Sequence, residues 1–98
     1  MHFEYRGSFR YVDQRAIDLA IHEAHEHLED DGISDLDREW IRRLWQRGTT
    51  IHVDVVMPPT ADSYVAAGVL GALASRAIEG CVDVTRGGDI VDAFAPGG

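Results

Sequence analysis

The sequence predicts a single α+β domain over residues 1–98, with amphipathic helices covering one side of an antiparallel sheet. Three observations carry this. The stretches "HFEYRGSFRYV" (2–12) and "TTIHVDVV" (49–56) alternate apolar and polar residues, the period of a half-buried strand. Residues 14–31 instead repeat their apolar positions at three- and four-residue steps, the period of a helix. Strands with one apolar and one polar face need cover on that apolar face alone.

In order along the chain, residues 2–12 read as one continuous strand. That register keeps Phe3, Tyr5, Gly7, Phe9 and Tyr11 on one face, whereas a hairpin at Arg6-Gly7 would split them. Gly7 then marks a bulge or a close approach. Asp13 is an N-cap for a helix running to about Asp31 and closed by Gly32, with Ile17, Ala20, Ile21, Ala24 and Leu28 as its buried stripe. The segment 34–48, "SDLDREWIRRLWQRG", is read as a strand that sets Trp40 and Leu44 beside Ile51, Val53 and Val55 across an Arg47-Gly48 turn. The alternative is a helix over residues 35–46, capped by Ser34, which makes a three-helix α+β domain. Pro58 and Pro59 end the next strand, and Thr60 opens an Ala- and Gly-rich helix that Gly80 terminates. "CVDVTRGGDIVDAF" reads as a hairpin with Gly87-Gly88 as its loop. The resulting order is that of a ferredoxin-like βαββαβ sandwich with an extra C-terminal strand. An architecture of this kind hosts many unrelated functions, so function has to be argued from sites.

Charge narrows the partners. Seventeen acids against nine bases leave a net charge of −8, and every base is arginine. Nine of the acids lie between Asp18 and Glu39, where Arg38 is the one base. Phosphate neutralisation supplies most nucleic-acid affinity, so nucleic acid is not an expected partner, nor is an anionic membrane. The longest nearly uncharged stretch, 63–75, is too short to span a bilayer, and no basic-flanked signal segment precedes the first strand, so the expected location is cytoplasmic. A lone cysteine, Cys81, excludes an internal disulfide and a four-cysteine zinc site; it is expected to be a mostly buried, inert thiol.

An aromatic strand interleaved with arginines can be a base-stacking surface. "RGSFRYV" shares the Arg-Gly pair of the RNA-recognition signature but has Ser8 and Arg10 where aromatics are needed, so the aromatics are assigned to the core. "HEAHEH" (22–27) approaches the zinc-protease pattern His-Glu-x-x-His, but its second histidine comes one residue early. On a helix His22, His25 and Glu26 share a flank and form the candidate site for a divalent metal; no other cofactor is expected. The C-terminal hairpin sets Asp83 opposite Asp92, two like charges that suit a cation, a shared proton or a basic partner. Arg42, Arg43 and Arg47 form the one basic patch.

Two functional readings follow. The first is a small acidic protein-interaction or regulatory module that self-associates as a homodimer or meets a basic protein through Glu26, Glu29, Asp30, Asp83 and Asp92. The second is a small metal-dependent or acid–base enzyme using the His/Glu helix flank or the paired aspartates.

Overall fold

The computed structural model describes residues 2–27, 44–57 and 63–96. Among them are five strands and two helices: β1 (Phe3–Arg10), α1 (Gln14–Glu26), β2 (Trp45–Arg47), β3 (Thr50–Met57), α2 (Ser63–Ser75), β4 (Glu79–Arg86) and β5 (Asp89–Phe94). The strands form one antiparallel sheet in the order β2-β3-β1-β4-β5. None of the described helices is long and apolar enough to cross a membrane.

Period-two alternation decides which face of the sheet is buried. Tyr5 and Phe9 of β1, Ile51, Val53 and Val55 of β3, and Val82 and Val84 of β4 lie on one face and are buried, as is Tyr11 just beyond β1. The helices close over that face with Ile17, Ala20 and Ala24 from α1 and Ala66, Val69, Leu70 and Leu73 from α2. The aromatics of the first strand therefore serve the core.

Asp13 caps α1 as expected: its carboxylate accepts the Ala16 amide at 2.9 Å. The helix ends at Glu26, short of the expected Asp31. Leu28, Gly32, Ser34, Trp40, Arg42, Arg43, Pro58, Pro59 and Thr60 lie outside the described residues, as does most of the segment read as strand or helix. At its C-terminal end, Trp45 and Gln46 are strand, not helix. The turn there is Gly48-Thr49, one residue later than expected, because Arg47 pairs with Thr50 and Gly48 takes a left-handed φ of +61°. Leu44 does pack against the core.

Two expectations about glycines divide. Gly7 marks a close approach: a Cβ there would lie 2.0 Å from the Cys81 carbonyl oxygen, at φ +151°. Gly80 does not end the second helix. That helix stops at Ser75, and Gly80 is a β4 residue opposite Phe9, where a Cβ would lie 2.2 Å from the Ser8 carbonyl oxygen. Chain pairing takes over from helix at Ile78, whose amide donates to the Arg10 carbonyl at 2.8 Å.

The C-terminal hairpin turns at Gly87-Gly88, with φ +61° and +87°, as expected. Its register is not the expected one. Arg86 pairs with Asp89 and Thr85 with Ile90, but Val84 pairs with Asp92 and Asp83 with Ala93. Val91 is an extra residue, a β-bulge. The opposed Asp83–Asp92 pair is thus overturned: Asp92 shares the helix-covered face with Val84, and Asp83 stands on the open face.

Candidate functional site

Directly paired residues share a face, so the registers define the open side of the sheet as four rows. Following β1 from its start, they are Val56–Glu4–Thr85–Ile90, Asp54–Arg6–Asp83–Ala93, Trp45–His52–Ser8–Cys81 and Thr50–Arg10–Glu79, the last extended by Arg47. Ion pairs run across this face. Arg6 Nε donates to Asp54 at 3.1 Å and its Nη1 to Glu4 at 3.3 Å, while Arg10 Nη2 meets Glu79 at 2.7 Å. Trp45 stacks on His52 with centroids 5.2 Å apart and planes 13° apart. The stack follows from the hairpin register across Gly48-Thr49, which places the two residues opposite each other and which the expected Arg47-Gly48 turn would not. Cys81 belongs to this face and is exposed, contrary to the expected burial. It is a poor nucleophile there, because local desolvation and a 3.5 Å hydrogen bond to the Asp83 carboxylate push the thiol pKa up.

The helix flank is divided. His22 Nε2 lies 3.4 Å from Glu26 Oε1, one turn on. His25 instead lines an apolar cleft of about 150 Å³ between α1 and β2, together with Ile21, Leu44, Trp45 and Gln46. His27 packs on α2, where a Cβ on Gly68 would lie 2.8 Å from its Nδ1. Glu23, between them, is held by Arg76, whose Nε donates at 2.9 Å and lowers the carboxyl pKa mainly through that bond. Among the described residues no three His, Cys, Asp or Glu side chains are grouped to hold a metal ion. His22 and Glu26 are together; His25 is turned to other company. Glu29 and Asp30 lie outside the described residues.

A second cleft, of about 200 Å³, opens between β5 and α2. Its walls include Phe3, Tyr5, Phe94, Ala67 and Val91, with the exposed Asp92 among them. The bulge at Val91 puts Asp92 there, and its Oδ1 accepts the Ala93 amide at 2.8 Å. Burial, and secondarily the Asp92 charge, push the Tyr5 pKa up. Asp92 was singled out in the sequence for a different pairing; nothing in its spacing announced this cleft.

Comparison with protein-family models, with curated proteins and with solved structures gives no significant match.

Proposed function

We propose that this chain is a small protein-interaction module that self-associates through the open face of its sheet, on a ferredoxin-like βαββαβ sandwich extended by a C-terminal strand. The fold assignment is supported by the order β2-β3-β1-β4, with β5 added beside β4 and both helices closing on one face.

The row order carries the functional reading. A two-fold axis lying across the strands, between the Arg6 and Ser8 rows, sets Glu4 against Arg10 of a second copy and Asp54 against His52, each twice. An axis along the strands would instead oppose Arg6 with Arg6 and Asp54 with Asp83. The face is self-complementary in one orientation and self-repelling in the other, which is how charge fixes register at an interface. Trp45 and Ile90, 49% and 67% exposed, supply apolar surface at its margins. The five strands hold 33 residues at about 3.3 Å each and lie about 4.8 Å apart, which gives roughly 500 Å² per copy. The roughly 1,000 Å² buried by a pair is at the threshold for a specific interface and in the range of weak, transient ones.

Sedimentation equilibrium tests the reading. The wild type is expected to be dimeric at moderate salt. Glu4→Arg or Arg10→Glu alone should give monomers, and the double swap E4R/R10E should restore the dimer. A monomeric wild type, or dimers that survive both single reversals, would overturn it.

A further inference from the structure

The cleft between β5 and α2 carries a separate inference. It combines aromatic rings with a single carboxylate, and among the described residues that carboxylate has no ion-pair partner. We propose that the cleft binds an organic cation, an alkylammonium or guanidinium headgroup, with Asp92 as its counter-charge and the Phe94 and Phe3 rings as its walls.

Each alternative ligand class fits less well. A hard metal ion needs six or so oxygen ligands, and the described lining offers the Asp92 carboxylate and the Tyr5 hydroxyl. An anion would meet Asp92 directly. A neutral apolar group would desolvate that carboxylate without compensating it. An organic cation compensates the charge while its alkyl surface covers the apolar walls, and aromatic faces attract it further. The protein shows this preference internally: the Arg86 guanidinium carbon already lies 5.3 Å from the centre of the Phe3 ring at the edge of the same region. The net charge of −8 favours the approach of any cation. The bulge is the device that makes the site. Were Val91 paired regularly with Val84, Asp92 would fall opposite Asp83 and face the open side of the sheet.

The test is titration of ¹⁵N-labelled protein with n-butylammonium, with n-butanol as its uncharged counterpart. Butylammonium should give saturable shifts at the amides of Val84, Val91, Asp92 and Phe94, with a Kd in the millimolar range. Asp92→Asn should weaken binding at least ~5-fold, while Asp18→Asn, exposed on α1 and outside both the cleft and the open face, should leave it unchanged within ~2-fold. A parallel arm with N-acetyl-lysine methylamide identifies the source. Equal binding points to the side chain of a protein partner, and binding of the free amine alone points to a small-molecule amine. The proposal is overturned if butylammonium shows no saturable shift, if butanol binds as tightly, or if Asp18→Asn costs as much as Asp92→Asn. None of these outcomes depends on the open-face dimer.

Discussion

Replacing Tyr11 by Phe probes how the end of α2 is tied to the sheet. Tyr11 is 1% exposed, and its hydroxyl donates to the Leu73 carbonyl at 2.6 Å. The last turn of a helix leaves carbonyls without intrahelical donors. Here Ala72 accepts from the Ser75 hydroxyl at 2.9 Å, Ala74 from the Ala77 amide at 3.2 Å, and Leu73 from Tyr11. Phenylalanine keeps the ring and removes the donor, leaving a buried carbonyl unsatisfied at a cost of about 1–3 kcal/mol. In a domain of this size that is a drop of roughly 4–8 °C in Tm per kcal/mol.

The same bond predicts a pH dependence with a definite sign. Burial raises the Tyr11 pKa above its ordinary value, so the folded chain holds the proton more tightly than the unfolded chain does. Its contribution is fully present below the unfolded pKa of ~10 and is lost as pH rises toward the higher folded value. At pH 11 the unfolded chain has gained roughly 1.4 kcal/mol by releasing that proton. The cost of Tyr11→Phe should therefore shrink by about that amount between pH 7 and pH 11. Tyr5, also raised, is present in both proteins and cancels in the difference. Urea unfolding at the two pH values, with equal m-values, measures this. A cost below ~0.5 kcal/mol at pH 7, or one that does not change at pH 11, would refute the reasoning.

Two further substitutions test the sheet. Phe9→Ala removes a fully buried ring that faces Ile51 on one side and Gly80 on the other, and should cost about 3–5 kcal/mol in equilibrium unfolding; under ~1 kcal/mol would mean the ring is not core. Gly7→Ala drives a Cβ into the Cys81 backbone, which cannot swing aside as a side chain would, and should destabilise by at least ~2 kcal/mol. An alanine variant as stable as wild type would show that β1 and β4 do not approach so closely.

Local chemistry made part of this fold legible. The aromatic face of β1, the Ile51/Val53/Val55 face of β3, the Asp13 cap and the Gly87-Gly88 loop each follow from a short-range rule that tertiary structure had no reason to override. Gly80 was misread because glycine closes helices and also admits close strands, and only the neighbouring Ser8 carbonyl distinguishes the two. Cys81 was misplaced for a related reason. A thiol's usual preference for burial conflicts there with alternation in "CVDVT", which sets Cys81 with Asp83 on the open face, and the register decides.

The bulge at Val91 is the least legible feature and the one with the largest consequence. No residue of "DIVDAF" demands it, since Ile90, Val91 and Phe94 all suit an uninterrupted strand. Yet one extra residue sends the two hairpin acids to opposite sides of the sheet. Asp83 joins a face where Arg6 pairs with Glu4 and Asp54, and Arg10 with Glu79. Asp92 joins the aromatic cleft, where among the described residues no arginine pairs with it. The two surfaces therefore suit different partners. In the proposed dimer the open face meets its own copy, because Glu4 finds Arg10 and Asp54 finds His52 at a fixed offset. The ligand proposed for the Asp92 cleft is instead a cation that brings its own apolar surface. Because the strands of the sheet stand between them, a substitution on one face leaves the chemistry of the other in place, and each reading can be tested without disturbing the other.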